Sequence, residues 1–420
     1  MSGVIEATSL GSDRYGFSLP ARAADVAGMI EIELTLKARR WSWARRGLPR
    51  VTISGGERSP EVFSLEPERD RQRIAYPLPE DVAAEGELQL SVEGARLVET
   101  PRLRWHPRPA LTGPYLILAP HPDDAELAAG GFYTDQAETM HIVTLSCGEK
   151  LKSMDRQYLS GLDQTQADAS RRKAEWRRWN VYATPLLSGL SPERSTLIGV
   201  PDGQGWSLIH DGTPQTPAWP VRETRAFNRV ELPFSETDVL EREHVLAALR
   251  QLIDTLRPET VLVTDPEFDP HGDHRATSLA LALALSESAH RPANVMLYAN
   301  HYRHAYPPGP AFQPAWMPPK SIAIDSLFDD APVPMLWPLA PAMQKHKALL
   351  LDSMSDLSSR ANRRQQRQRV KRAGFRPTFA AERDPYFQSA VRSTEFFRVL
   401  PGEVFVKGWL QRFEADESPR

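Results

Sequence analysis

Two short segments of the chain combine imidazole and carboxylate side chains in a way that suits metal chemistry. They are residues 120–126, with the sequence PHPDDAE, and residues 265–274, with the sequence DPEFDPHGDH. Two histidines and one carboxylate around a metal ion, with one position left open for water, form a recurrent hydrolytic arrangement. Such an ion would lower the pKa of its bound water to about 7 and polarise a substrate carbonyl. In an adjacent Asp-Asp pair, one carboxylate can bind the metal while its neighbour acts as a general base.

Both segments follow short apolar runs that are typical of buried strands, at residues 115–119 and 261–263. The pattern further predicts a strand at 142–145, an apolar segment at 181–187, and helices at 126–136, 168–179, 245–256 and 277–286. Strands that alternate with helices indicate an α/β fold, with a mostly parallel, Rossmann-like sheet covered by helices on both faces. In such sheets the ligand site lies beyond the carboxyl ends of the strands, where both chemical segments begin.

The first hundred residues show a different pattern. Partly alternating stretches at 29–34, 51–53 and 88–92 predict a half-buried antiparallel sheet. Residues 105–113, WHPRPALTG, contain two prolines and a glycine and suggest a linker. Because 420 residues exceed the usual size of one domain, we predict a small N-terminal β-rich, sandwich-like domain at 1–108 and a catalytic domain at 109–420.

An ordered set of motifs resembles the PIG-L/LmbE family of zinc-dependent N-deacetylases. PHPDDAELAAGG at residues 120–131 looks like the signature of that family, and PHGDH at 270–274 looks like its second motif. The likeness extends through TLSCGE at 144–149, Arg172 with Glu175, and PDG at 201–203, so that it covers roughly residues 115–290. Members of that family have a Rossmann-like fold and act on N-acetylglucosamine units of glycolipids, glycosides or small thiols.

The resemblance also implies a role for individual residues. It implies that His121, Asp124 and His274 bind zinc and that Asp123 is the general base. His271 would stabilise or protonate the tetrahedral intermediate, and Asp273 would orient the His271 ring. Arg172 and Asp202 are the candidate substrate contacts; an arginine on a solvated helix face and a simple PDG turn are the alternatives.

Four residues depart from the family pattern. Pro120 stands where alanine is common, Ser146-Cys147 replaces the usual Thr-Asp, and Gly272 stands where proline is frequent. None of these changes removes a proposed ligand, so they bear on the substrate and not on the metal.

Other interpretations of the two segments are weaker. The HPDD sequence would also suit a simple turn and helix cap. A glycoside hydrolase needs two carboxylates on opposite sides of the bond, which the neighbours Asp123 and Asp124 would serve badly. A two-histidine, one-carboxylate set also occurs in non-haem iron oxygenases, but Asp123 has no obvious role there, although Fe²⁺ could occupy the same site.

Composition restricts the class of protein further. The net charge of −3 gives no electrostatic reason to expect a nucleic-acid partner. The proportions of hydrophobic residues, 41%, and of charged residues, 25%, are typical of a globular protein. Cys147 is the single cysteine, which excludes an intrachain disulfide and fits a reducing compartment. The opening residues show no secretory signal, and no apolar run reaches the roughly 20 residues of a membrane span. A cytoplasmic location is therefore expected.

Three later segments bear on partners. Residues 360–376 are rich in arginine and predict either a solvated helix or a surface for an anionic partner, including a membrane face. Residues 298–306 carry rings that could stack on a sugar, and the proline-rich run 307–319 predicts a loop at the pocket mouth. The leading hypothesis is N-deacetylation of an N-acetylated amino sugar or glycoconjugate. A glycan-binding protein that has lost catalysis, or a deacylase of another N-acyl small molecule, is the alternative.

Overall fold

The fold is known from a computed structural model, which describes the greater part of the chain. The described residues are 2–23, 26–38, 47–55, 59–66, 70–78, 87–151, 162–301, 312–314, 326–328, 332–354 and 390–417. The ring-rich residues 302–306, most of the proline-rich run and the arginine-rich segment 360–376 lie outside them, so the predictions for those segments stay predictions.

The described residues among the first 107 include ten strands, which form two five-stranded sheets. One sheet contains β1 (Gly3–Ile5), β4 (Ala27–Ala38), β7 (Arg71–Pro77), β9 (Ala95–Leu97) and β10 (Arg102–Pro107). The other contains β2 (Ala7–Gly11), β3 (Arg14–Phe17), β5 (Arg50–Ser54), β6 (Glu61–Ser64) and β8 (Leu88–Glu93). All their pairings are antiparallel, as the alternating sequence pattern predicted.

The two sheets share one apolar core. In β4, Ile30, Ile32 and Leu34 are fully buried at alternate positions, and they belong to the same cluster as Val51 and Ile53 of β5. Side chains of a strand point alternately to the two faces, so this spacing brings one face of each sheet into the common core. The predicted linker at 105–113 is partly wrong, because Trp105, His106 and Pro107 belong to β10.

A seven-stranded sheet follows in the second part of the chain. Its strands are β11 (Tyr115–Ala119), β12 (Met140–Thr144), β13 (Ser195–Leu197), β14 (Thr260–Thr264), β15 (Asn294–Tyr298), β16 (Val333–Pro338) and β17 (Thr394–Pro401), in the order β13-β12-β11-β14-β15-β17-β16. The first five in that order run parallel, and β17 and β16 add an antiparallel edge. The predicted α/β class is confirmed.

The described residues of the chain form eight helices beside these strands. They are α1 (Asp124–Asp135), α2 (Gln166–Leu186), α3 (Gly205–Ile209), α4 (Val221–Thr224), α5 (Arg242–Leu256), α6 (Gly272–Glu287), α7 (Pro341–Asp352) and α8 (Gly402–Glu417), with short 3-10 turns at Ala21–Ala23 and Pro192–Arg194. The apolar segment 181–187 is not a separate element, because α2 continues through residue 186.

The two faces of the seven-stranded sheet contact different helices. In β11, Leu116 and Leu118 belong to a core that includes residues of α5, α6 and α8, whereas Ile117 and Ala119 belong to a core with residues of α1 and α7. Every residue of β11 is therefore buried, which explains its continuous apolar sequence.

The N-terminal strands contact the edge of the larger sheet. Met29 of β4 and Ala75 of β7 form a small apolar cluster with Leu336 of β16. Within the described part of the chain, no helix combines the length and the apolar composition that crossing a membrane requires.

Candidate metal site

Three side chains converge beyond the carboxyl ends of β11 and β14. His121 follows β11, Asp124 is the first residue of α1, and His274 lies in the first turn of α6. Their ligand atoms all lie within 4.8 Å of one another. The carboxylate oxygen Oδ2 of Asp124 is 3.1 Å from Nδ1 of His121 and 3.3 Å from Nε2 of His274. The three residues to which the resemblance assigns the metal thus come together.

The chemistry of this cluster fits a divalent metal. His274 is fully buried, and its Nε2 atom has no hydrogen-bond partner. A buried polar nitrogen without a partner is costly, unless a further group satisfies it. Because that nitrogen faces the Asp124 carboxylate, one ion between them would bind both, and His121 would complete the set typical of hydrolytic zinc sites.

The other side of His274 is held by a second carboxylate. Nδ1 of His274 lies 2.8 Å from Oδ2 of Asp269, which also accepts hydrogen bonds from the backbone N–H groups of Asn300 and His301. Asn300 in turn donates from its side-chain amide to Oδ1 of Asp124 at 2.8 Å. Metal-binding histidines commonly have such a carboxylate behind them, which fixes the ring and its tautomer. The segment after β15 therefore holds two of the three candidate ligands in place.

These carboxylates create an environment that favours positive charge. Burial alone would lower the pKa of His274, but the charges of Asp124 and Asp269 outweigh it and raise the pKa to about 10. Burial likewise opposes the raised pKa of His121, which its contacts with Asp124, Asp202 and Asp273 hold well above the usual value. The carboxylates around these two rings therefore favour positive charge at this position, which a divalent ion would supply.

A second group of side chains lies on the opposite edge of the His121 ring. Nε2 of His121 is 3.3 Å from Oδ1 of Asp202 and 3.3 Å from Oδ2 of Asp273. Asp273 also accepts hydrogen bonds from the backbone N–H groups of Gly203 and Gly205. Asp273 thereby connects α6 to the PDG loop that carries Asp202.

The predicted partnership of Asp273 with His271 is not the pairing that the structure has. Among the described residues, no hydrogen bond joins the two side chains; the carboxylate of Asp273 contacts the N–H groups of Gly203 and Gly205 and the ring of His121 instead. Nδ1 of His271 is buried without a partner. Burial, together with the nearby charges of His274 and His121, lowers the pKa of His271 to about 4, so this ring is neutral near pH 7.

Asp123 lies beside the cluster and is paired with an arginine. Its Oδ1 atom accepts a hydrogen bond from Nη2 of Arg177 at 2.9 Å, and Nε of Arg177 donates to the carbonyl oxygen of Cys147. Gly148 permits this approach: its φ is +65°, and a Cβ there would lie 2.8 Å from Nε of Arg177. Although Asp123 precedes the first turn of α1, its side chain makes no capping hydrogen bond, which argues against a purely structural role as a helix cap.

Arg172 is already paired within its own part of the fold. Its guanidinium forms an ion pair with the buried carboxylate of Asp163, with nitrogen–oxygen distances of 2.9 and 2.7 Å. Arg177, on the same helix, is the arginine that contacts the cluster. Asp202, in contrast, is brought directly to His121, as a residue near bound substrate would be.

Sequence reasoning missed Arg177, Asp269 and Asn300 as site residues. Asp269 stood inside the DPEFDPHGDH segment, and Asn300 comes directly after β15, where a parallel sheet places its ligand site. Those two positions carried a usable signal. Arg177 had none, because one arginine on a charged helix looks like any other solvated residue.

The comparison with protein families agrees with the motifs. The family model PIG-L, described as GlcNAc-PI de-N-acetylase, matches residues 116–285. The resemblance to the PIG-L family is therefore confirmed over residues 116–285. No match was found among curated proteins.

Several solved structures are similar in part. N,N'-diacetylchitobiose deacetylase from Pyrococcus horikoshii is 15% identical, with 69% of this chain and 85% of that chain covered and a TM-score of 0.37. The teicoplanin deacetylase Orf2, in a zinc inhibited form, is 14% identical, with 68% and 98% covered and a TM-score of 0.33. GalB, the 4-carboxy-2-hydroxymuconate hydratase from Pseudomonas putida KT2440, is 15% identical, with 68% and 95% covered and a TM-score of 0.34.

Proposed function

We propose that the protein is a metal-dependent hydrolase that removes the N-acetyl group from an N-acetylglucosamine-type amino sugar. The sugar would belong to a glycolipid, lipopolysaccharide or polysaccharide precursor. The convergence of His121, Asp124 and His274 within the residues that match the PIG-L family carries this proposal. We further propose zinc as the native metal, with Fe²⁺ as the alternative that metal analysis distinguishes.

A bound divalent ion would polarise the acyl carbonyl and lower the pKa of the attacking water. Asp123 would accept the proton of that water as it adds to the carbonyl carbon. Arg177 holds one oxygen of the Asp123 carboxylate, and no other described residue hydrogen-bonds to the second oxygen. That second oxygen is therefore the one that would take the proton. Asp123 would then return that proton to the amide nitrogen as the carbon–nitrogen bond breaks, so that the sugar leaves as a free amine and the acyl group as acetate.

His271 would stabilise the oxyanion that develops on the substrate. Its ring centroid lies 5.5 Å from that of His121 and 4.8 Å from that of His274, so it borders the proposed metal position. A neutral imidazole with a free nitrogen can donate one hydrogen bond without carrying a charge of its own. This supports stabilisation by hydrogen bonding more than delivery of a proton.

Asp273 is better supported as a positioning residue than as a catalytic one, because its contacts are with His121 and the backbone of the PDG loop. We keep Asp202 as a proposed substrate contact. For Arg172, the ion pair with Asp163 favours a role in holding α2 over direct contact with substrate.

We also propose that the chain is organised as a β-rich domain at 1–108 and a Rossmann-like deacetylase domain at 109–420. The separate core of the N-terminal strands supports the first part, and the five parallel strands with helices on both faces support the second.

The proposal is tested by metal-loaded turnover. Protein loaded with zinc, and separately with iron under anaerobic conditions, is incubated with a library of N-acetylglucosamine-containing glycans. Mass spectrometry should then detect the loss of one acetyl mass, together with released acetate. The variant Asp123→Asn should lose 10²–10⁴-fold in rate, the usual value for a general base, with unchanged metal content.

The variant Asp135→Asn is a matched control for Asp123→Asn. It makes the same chemical change on the same helix, at an exposed position at the end of α1, and should leave the rate unchanged. If metal-loaded protein released no acetate from any member of the panel, the proposal would be wrong. Binding of a glycan in that case would favour the glycan-binding alternative.

A further inference from the structure

A cavity of about 320 Å³ lies beside the edge strand β13, and three arginines line it: Arg222, Arg225 and Arg229. We call it the Arg225 cavity, after the residue with the most unusual surroundings. Arg225 follows α4 and is only 5% exposed. The Arg225 cavity is separate from the proposed metal site, because the two have no residue in common.

Arg225 is held in place by neutral oxygen atoms. Its Nε atom donates to the carbonyl oxygen of Ile198 at 2.8 Å, and Nη1 donates to the carbonyl oxygen of Pro233 at 2.8 Å and to Oγ of Ser235 at 3.1 Å. Asn228 bonds both the N–H and the carbonyl oxygen of Leu197. The residues around the guanidinium are thus fixed to the sheet edge, which makes the cavity wall rigid.

The charge of Arg225 has no counter-charge. Nη2 makes no hydrogen bond, and no carboxylate of a described residue lies within ion-pair distance of this guanidinium. Burial lowers the pKa of Arg225 to about 10, which leaves the side chain protonated at neutral pH. A buried charge without a partner is costly, so natural proteins usually pair it. Here the missing partner would have to be an anion that is not part of the described chain.

The two other arginines strengthen the positive field of the cavity. Arg229 is exposed and makes no ion pair with any residue that the structure describes. Arg222 has a single carboxylate neighbour, Glu236, at 3.4 Å, and both side chains of that pair are largely exposed, so the attraction is weak. Glu231 also lines the cavity and is the one acidic residue that does. Glu236 lies near Arg222, and backbone hydrogen bonding together with the charge of Arg229 lowers the pKa of the exposed Glu193, so both of these arginines have a carboxylate in their surroundings. Arg225 is the buried one of the three, and the described residues provide no ion pair for its guanidinium.

We propose that the Arg225 cavity binds a phosphate group. The planar donors of arginine match the oxygen atoms of phosphate, and phosphate supplies the negative charge that the buried guanidinium of Arg225 lacks among the described residues. The group could belong to free inorganic phosphate or to a phosphorylated organic molecule.

Titration calorimetry of the full-length protein tests the proposal, with sodium phosphate and uridine diphosphate as separate ligands at constant ionic strength. Saturable binding is expected, and the double variant Arg222→Gln/Arg229→Gln should weaken it tenfold or more. Both side chains are exposed, so this variant should fold. Arg102→Gln, an equally exposed arginine of the N-terminal strands, is the matched control and should bind as the unmodified protein does.

The result also identifies the source of the phosphate. If uridine diphosphate binds at least tenfold more tightly than phosphate, the cavity is a site for a phosphorylated organic ligand. If the two affinities are equal, it is a site for free phosphate. The absence of saturable binding of either ligand, or equal binding by the double variant, would overturn the proposal. Binding is measured without turnover, so this outcome is independent of whether the protein is a deacetylase.

Discussion

Replacement of Asp269 by asparagine should weaken metal binding without unfolding the protein. Asp269 is 1% exposed, and its carboxylate lies behind His274, on the side of the ring that faces away from the proposed metal. Asparagine keeps the size of the side chain but removes the negative charge. The imidazole then loses the partner that fixes its tautomer and makes Nε2 a better electron donor.

The magnitude follows from the number of contacts that the carboxylate makes. Besides His274, it accepts hydrogen bonds from the backbone N–H groups of His271, Asn300 and His301. An asparagine has one carbonyl oxygen and cannot accept all of these bonds, so ring orientation and loop position both loosen. Loss of a carboxylate behind a metal-binding histidine typically reduces affinity 10- to 100-fold, or about 1.4–2.7 kcal/mol.

Zinc affinity is measured by competition with a chromophoric chelator, and thermal melting shows whether the variant is folded. Asp211→Asn is the matched control, because Asp211 also pairs with a histidine, His210, at 2.8 Å, but at an exposed site outside the cluster. That variant should bind zinc as tightly as the unmodified protein.

Equal zinc affinity for the Asp269→Asn variant and the unmodified protein would refute this reasoning. It would mean that His274 is not a ligand, or that its orientation does not depend on the carboxylate. A reduced affinity in the Asp211→Asn control would show that the loss is not specific to the site.

Two further predictions concern stability. Burial opposes ionisation of Glu31, but its contact with His106 and the charge of a nearby arginine outweigh it and lower the pKa from 4.5 to about 2. The ionised Glu31 carboxylate therefore stabilises the folded state by about 3 kcal/mol. This contribution is complete above pH 4.5 and is lost as the pH falls toward 2. Urea unfolding of the Glu31→Gln variant and the unmodified protein should give free energies of unfolding whose difference is smaller at pH 2 than at pH 5 by this amount. A difference that stays constant between these pH values would contradict the assignment. In the second part of the chain, Lys347 and Glu395 form an ion pair at 2.5 Å in which both side chains are 1% exposed. Lys347→Met should cost about 3–5 kcal/mol because it leaves a buried carboxylate without its cation, whereas the exposed neighbour Lys345→Met should cost almost nothing. Glu395 also accepts hydrogen bonds from the backbone N–H groups of Gly131 and Phe132. A loss below 1 kcal/mol for Lys347→Met would show that these two donors alone satisfy the carboxylate.

Much of the fold was predictable from local patterns. The apolar runs before the two chemical segments are strands β11 and β14, and the helices after them are α1 and α6. Their type follows from periodicity, which depends on neighbouring residues alone. Boundaries were less certain: α2 extends beyond its prediction because an apolar stretch such as 181–187 is compatible with helix and strand alike.

The candidate ligands His121, Asp124 and His274 were also accessible from sequence, because histidine and carboxylate after parallel strands have few other common uses. Their convergence follows from topology, since β11 and β14 are parallel neighbours and end at the same edge of the sheet. Composition, strand pattern and motif order therefore determined the fold class and the type of site.

Only the tertiary structure decided which side chain orients which. Asp273 pairs with His121, from which it is separated by 152 residues, and not with its near neighbour His271. Arg177 reaches Asp123 across 54 residues, and Asn300 reaches Asp124 across 176. A hydrogen bond requires positions correct to a few tenths of an ångström and a suitable angle, which depend on how whole helices and loops pack. Residue type and spacing do not determine such distances between side chains that are far apart in the sequence. The hydrogen-bond partners of the candidate ligands are therefore known only from the folded structure.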